Sequence, residues 1–166
     1  ESVVNINTWH QSRISQLVIK NLFGTLAGKK IVILGFAFKA NTNDTRESAA
    51  IQICKDLINE GANLVIHDPK VNSKQITQDL GIEENLNSAD NYNLLGVQGL
   101  WNYSSDIIHA CLNADAVLIM TEWHEYSLIN WAKVSENMRQ PAWVFDARSI
   151  VNSENVISSG LKFWRV

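Results

Sequence analysis

Apolar positions recur along this chain in two alternating rhythms. From about Ile6 to Leu22 the period is helical: Ile14, Leu17, Val18 and Leu22 fall at i, i+3, i+4 and i+8, and Gly24 is a natural stop. Ile31–Leu34 is an unbroken run of β-branched residues and leucine, which suits a strand covered on both faces of a parallel sheet. Helical spacing returns from about Glu47 to Asn59, where Ile51, Cys54, Leu57 and Ile58 share a face and Gly61 follows. Leu64–Ile66 is the next strand, and Pro69 ends it because proline cannot continue a central ladder. Residues 30–68 therefore form a βαβ unit, for which a right-handed crossover is expected.

The same alternation continues. Val71–Gly81 reads as a short helix, Ser105–Leu112 as another, and Ser127–Met138 as a third. Ala116–Met120, Trp143–Asp146 and Leu161–Arg165 read as strands. Glu83–Tyr103 is rich in Asn, Ser and Gly and has no clean period, so it is expected to be a long surface excursion, free to move. Strands alternating with helices predict an α/β domain, doubly wound around a mostly parallel sheet of five or six strands.

Composition narrows the function classes. The chain has 166 residues, 46% of them hydrophobic, enough for one domain with a full core. Its net charge is −3 and its lysines and arginines form no stripe, which argues against a nucleic-acid surface. No apolar run approaches the roughly 18 residues of a membrane span. The chain opens on Glu1 and lacks the layout of a signal peptide, so it reads as a piece of a longer protein. Cys54 and Cys111 each sit in an apolar, helical context without metal-ligand spacing, and read as buried thiols in a reducing compartment.

Candidate chemistry gathers where strands end. Gly35-Phe-Ala-Phe-Lys39 follows the first strand and Asp44-Thr-Arg-Glu-Ser48 opens the next helix. Cations at the carboxyl end of a strand, beside a helix N-terminus, suit a phosphorylated ligand. Lys39 can reach a phosphate or a sugar hydroxyl, or can be a solvated loop lysine. Arg46 stands at the end of a helix that disfavours cations, so it needs an anionic partner: Asp44, Glu47 or a ligand phosphate. Thr45 or Asp44 can cap that helix. Arg148, after the fourth predicted strand, offers a guanidinium to the same rim. Glu122 and His124, after the third, could serve acid–base work, although a histidine beside a tryptophan is more often structural. The first loop has one glycine where a dinucleotide fingerprint needs three, so it is a poor main NAD site but a fair one for a nucleotide-sugar phosphate. No nucleophile elbow, metal cluster or Walker loop is present, and the chain looks like half of an active site.

Lys30-Ile-Val-Ile-Leu-Gly-Phe-Ala-Phe-Lys39, Asp44-Thr-Arg-Glu-Ser48, His67-Asp-Pro-Lys70, Thr121-Glu-Trp123 and Phe145-Asp-Ala-Arg148 occur in an order that spans nearly the whole chain. In that order they resemble the C-terminal, UDP-binding domain of the UDP-glucose/GDP-mannose dehydrogenase family, most of all its UDP-glucose 6-dehydrogenases. The resemblance implies a Rossmann-like domain over residues 26–166. Residues 1–25 would be the end of the long helix joining two domains. Departures from the pattern are His10, where glutamine is usual, and Ala40 and Asn41 in the loop.

The family oxidises the 6-hydroxyl of UDP-glucose to a carboxylate with two NAD+ in succession. Its N-terminal domain holds NAD and supplies the catalytic cysteine, so this chain alone is expected to be inactive. By resemblance, Phe38, Lys39 and Arg148 would bind UDP-glucose, and Arg46 would reach NAD across the cleft. A cytoplasmic location and a dimer built on the central helix are also implied. The alternative within the family is a UDP-N-acetylhexosamine or GDP-mannose dehydrogenase. Outside it, the alternative is a stand-alone nucleotide-binding module.

Overall fold

A computed structural model describes residues 2–86 and 98–166. The first helix, α1, spans Ser2–Asn21, and Gly24 turns the chain after it with φ +79°. The first strand, β1, is Lys30–Leu34; the βαβ unit is completed by α2, Ala49–Asn59, and β2, Asn63–His67. Next come α3, Ser73–Leu80, β3, Trp101–Tyr103, and α4, Ile107–Ala110. The last elements are β4, Ala116–Ile119, α5, Trp131–Asn137, β5, Trp143–Asp146, α6, Ser153–Ser158, and β6, Lys162–Arg165.

The six strands form one sheet in the order β3-β2-β1-β4-β5-β6, every neighbouring pair parallel. Chain order thus runs outward from β1 in one direction and from β4 in the other. Right-handed crossovers running in opposite directions place their helices on opposite faces, which is why β1 and β4 are buried from both sides. Ile31, Val32, Ile33, Leu34, Val117, Leu118 and Ile119 are all fully buried. The seam between β1 and β4, where the direction of winding reverses, is the place such sheets offer a ligand.

Three expectations need correction, and one element is additional. Trp101–Tyr103, taken as part of a structureless excursion, is the edge strand β3. Three residues are too few to show a period, and the strand is held by Trp101, which is buried and donates its indole N–H to the Ile82 carbonyl at 2.9 Å. Residues 87–97 of that excursion lie outside the described residues. The helix read as Ser127–Met138 is two elements, a 3-10 turn over His124–Leu128 and α5. Asn130 separates them by capping α5, accepting from the Lys133 amide at 3.2 Å. Helix α2 starts at Ala49 rather than Glu47, and its cap is Ser48, not Thr45 or Asp44. Finally, α6 had not been anticipated; Asn152 caps it, accepting from the amides of Glu154 and Asn155.

Helix α1 is seated on α2. Ile14, Val18 and Leu22 are buried at 8%, 0% and 2% exposure, so the helical stripe read from sequence is the packed face. Ser15 Oγ adds a hydrogen bond to Asp56 Oδ2 at 3.1 Å.

The return to β3 depends on a close backbone approach. Gly99 donates to the Ile58 carbonyl at 2.8 Å, and a Cβ at Gly99 would lie 1.7 Å from the Ala62 carbonyl oxygen. Backbone cannot retreat as a flexible side chain can. Gly99→Ala is therefore expected to lower the unfolding free energy by about 2 kcal/mol or more in urea titrations. A loss under about 0.5 kcal/mol, the scale of an ordinary surface substitution, would contradict this reading of the approach.

Candidate functional site

The rim above β1, β2, β4 and β5 is organised by two buried carboxylates. Asp68, just past β2, is fully buried. Its Oδ2 accepts from the amides of Phe36 and Ala37 at 2.8 and 2.9 Å and from Trp123 Nε1 at 3.2 Å. Its Oδ1 accepts from the amides of Lys70 and Val71 at 2.9 and 3.0 Å. Burying a carboxylate is costly unless its lone pairs are met, and five donors meet them here. Asp146, the last residue of β5, works alike: it is fully buried and accepts from the amides of Arg148, Ser149, Ile150 and Val151 at 2.9 to 3.0 Å.

The loop after β1 is pinned at nearly every backbone group. Gly35 turns it with φ +99°, and a Cβ there would meet the Thr121 side chain at 2.4 Å, so only glycine lets β1 and β4 end this close together. Ser48 Oγ donates to the Phe36 carbonyl at 2.8 Å, and Thr121 Oγ1 to the Ala37 carbonyl at 2.8 Å. The Phe38 amide donates to the Asp44 carbonyl at 2.8 Å, and the Ala40 amide to Glu122 Oε1 at 3.1 Å. A loop fixed in this way presents its side chains without further ordering.

What it presents is Phe38, 42% exposed, and Lys39, whose ammonium makes no hydrogen bond or ion pair among the described residues. Arg148 reaches the same loop from β5. Its Nε donates to the Met120 carbonyl at 2.8 Å, its Nη2 to the Phe38 carbonyl at 3.2 Å, and its Nη1 lies 3.4 Å from Glu122 Oε2. The structure thus brings Phe38, Lys39 and Arg148 together at the winding reversal. Arg148 is also the strut that joins three loops, a role its sequence position alone did not reveal.

Arg46 lies apart from them. It precedes α2 instead of opening it, so the helix dipole does not bear on it. Its exposed guanidinium grips Asp44 through Nε at 3.1 Å and Nη2 at 2.9 Å. The hydrogen bonds from Arg46 hold the Asp44 carboxyl at about 2, below the usual carboxylate range. Of the two candidate acid–base residues, Glu122 faces Arg148, while the exposed His124 ring makes no hydrogen bond among the described residues. Cys54 and Cys111 are free and buried. Burial pushes both thiols up, Cys111 to about 12, so neither is poised as a thiolate. No group of three or more His, Cys, Asp or Glu is placed to hold a metal among the described residues.

Residues 32–153 match the model of the UDP-glucose/GDP-mannose dehydrogenase family, UDP binding domain. The chain belongs to this family. It is 37% identical to a UDP-glucose 6-dehydrogenase of Caenorhabditis elegans over 166 residues, all of this chain and 33% of that protein. It is 39% identical to one of Drosophila melanogaster over 160 residues, 96% of this chain and 33% of that protein. The chain therefore spans about a third of the length of the curated relatives it matches. Among solved structures, a UDP-glucose dehydrogenase from Pyrobaculum islandicum superposes with a TM-score of 0.68 at 22% identity. That superposition covers 99% of this chain and 31% of the other, and it shows the shared fold.

Within this family domain, Asp68, Asp146 and Trp123 matter to the site, yet the sequence reading noted them only inside motifs. The available signal was an Asp directly after a buried strand and followed by proline, where a side chain turns to bond its own next amides. A second group lies beneath the rim. His67 is buried, and its Nδ1 lies 2.8 Å from Tyr126 Oη, which itself donates to the His67 carbonyl at 3.1 Å. Because that phenol has one proton, Nδ1 is the donor of the pair.

Burial lowers the His67 pKa below its ordinary value of 6.5, although Glu125, Asp68 and Asp106 oppose the shift. The unfolded chain therefore takes up the proton first as pH falls. Stability due to neutral His67 is complete above about pH 6.5 and declines below it. Chemical denaturation between pH 7.5 and 5 should show a falling midpoint that His67→Asn flattens. An equal slope in both proteins would place the proton uptake elsewhere.

Proposed function

We propose that this chain is the sugar-nucleotide-binding domain of an NAD-dependent UDP-glucose 6-dehydrogenase, with Phe38, Lys39 and Arg148 holding UDP-glucose. The observation that carries the reading is that the loop presenting the exposed Phe38 and Lys39 is the loop whose Phe38 carbonyl the fixed Arg148 guanidinium binds, at the reversal of winding. Lys39 donates to a phosphate or sugar hydroxyl, and among the described residues it has no partner to give up on binding. Arg148 keeps its orientation through two carbonyls while an outer N–H edge remains for the ligand. The Phe38 ring supplies apolar cover for the nucleotide. Residues 1–25 belong, in this reading, to the helix that joins the two domains, and the protein is cytoplasmic and assembles through that helix.

NAD supplies the hydride acceptor of this chemistry, and the β1 turn of this domain does not fit it. The amides of Phe36 and Ala37, which a dinucleotide fold turns toward a pyrophosphate, are both committed to Asp68. As the family resemblance implies, NAD is held by an N-terminal domain, with Arg46 as this domain's contribution from its exposed loop. The resemblance gives the catalytic thiolate to the same domain, and the two thiols here, buried and raised, are in keeping with that. The chain alone is inactive.

Calorimetric titration of the full-length protein tests the reading. UDP-glucose should bind selectively over GDP-mannose. Lys39→Ala should weaken UDP-glucose binding on the order of 10-fold or more, the worth of one charge-assisted hydrogen bond, with melting behaviour unchanged. Arg46→Ala should weaken NAD instead. Preference for GDP-mannose would move the protein to another branch of the family. Unchanged affinity in Lys39→Ala would remove that residue from the site.

A further inference from the structure

Glu122 is engaged in the site in two directions at once. Its Oε1 accepts from the Ala40 amide at 3.1 Å, directly after Phe38 and Lys39. Its Oε2 is buried and has no hydrogen-bond partner among the described residues, lying 3.4 Å from Arg148 Nη1. That distance gives a charge–charge contact without the geometry of a hydrogen bond. A neutral acceptor would satisfy the Ala40 amide equally well, so the second oxygen and its charge call for a separate reason.

Arg148 is oriented by two carbonyls besides its contact with Glu122: Met120 holds Nε and Phe38 holds Nη2, and any acceptor at position 122 that keeps the Ala40 amide keeps the Phe38 carbonyl in place. The charge of Glu122 therefore acts on the field that an incoming anion meets at Arg148. A carboxylate this close offsets part of the guanidinium charge, and any diphosphate placed near Arg148 also meets its repulsion.

We propose that Glu122 sets the strength of the grip on the anionic ligand: through Oε1 it positions the Phe38–Ala40 loop, and through Oε2 it moderates the Arg148 charge. This rests on the reading of Phe38, Lys39 and Arg148 as the UDP-sugar site. Glu122 is a positioning and affinity-setting residue in this scheme. Its effect is to let an anionic diphosphate ligand, substrate or product, leave a site otherwise lined by two cations. The two functions separate in two variants. Glu122→Gln keeps an acceptor for the Ala40 amide and removes the charge, whereas Glu122→Ala removes both.

The experiment is calorimetric titration of the full-length protein with UDP, and with uridine as the phosphate-free control. Glu122→Gln should bind UDP tighter than the wild type, roughly 3- to 5-fold at low salt. That gain should shrink as salt is raised, because a partly exposed charge effect is screened. Uridine affinity should be the same in both proteins. Glu122→Ala should bind UDP several-fold more weakly than Glu122→Gln, because its loop has lost its anchor. UDP binding in Glu122→Gln equal to or weaker than wild type, while Lys39→Ala and Arg148→Ala are impaired, overturns the role of Glu122 alone. Failure of the wild type to bind UDP, or unchanged binding in both Lys39→Ala and Arg148→Ala, overturns the site and this role with it.

Discussion

A single buried carboxylate, that of Asp68, sets the shape on which the rest of the site depends. Its five donors come from three segments, the turn after β1, the turn after β2 and the loop after β4. Those segments meet beside the seam where the sheet reverses its winding. A charge taken out of water would destabilise the domain by several kcal/mol if it were left unmet. Met by five N–H groups, it instead fixes the relative positions of three loops that would otherwise move independently. The consequence is direct. Amides that a dinucleotide-binding turn would turn outward are turned inward here, and what the loop shows to solvent is the side chains of Phe38 and Lys39.

Those side chains show a division of labour that the packing explains. Arg148 is tied by Met120 and Phe38 and serves as strut and cation together. The Lys39 ammonium makes no hydrogen bond or ion pair among the described residues and is free to change its direction. Arg46 stands outside the seam, paired with Asp44 and exposed to whatever faces the domain. The fold thus offers one fixed cation, one adaptable one and one that stands apart from the seam. Buried residues elsewhere supply rigidity and no chemistry, as the two raised cysteine thiols illustrate.

Much of this was legible in the sequence, for identifiable reasons. Strands β1, β2, β4 and β5 were readable because almost every residue in them is buried, which forces short apolar runs without polar alternation. The stripe Ile14, Val18, Leu22 was readable because α1 buries one face only. Edge strand β3 was not, because three residues carry no period and its stability comes from the distant packing of Trp101. The start of α2 was misplaced because Asp, Thr and Ser all cap well. Only tertiary contact decides for Ser48, whose hydroxyl is shared with the Phe36 carbonyl. The cations of the site could be read as rim residues from their place after strands. The carboxylates that hold the rim are harder to read: Asp68 carries the signal of a strand before it and a proline after it, but Asp146 lacks the proline, and a buried Asp and a solvated loop Asp look alike until their donors are located.

The most direct test is amide hydrogen exchange at Phe36 and Ala37 in the unliganded protein. These amides lie in a loop outside any strand, and loops of this kind ordinarily open freely. If Asp68 locks the turn before any ligand arrives, both amides exchange as slowly as those of β1, and Asp68→Asn speeds them selectively. Fast exchange of Phe36 and Ala37 beside protected β1 amides would contradict a preformed rim, and would mean that the site takes shape only when ligand or a second domain closes over it.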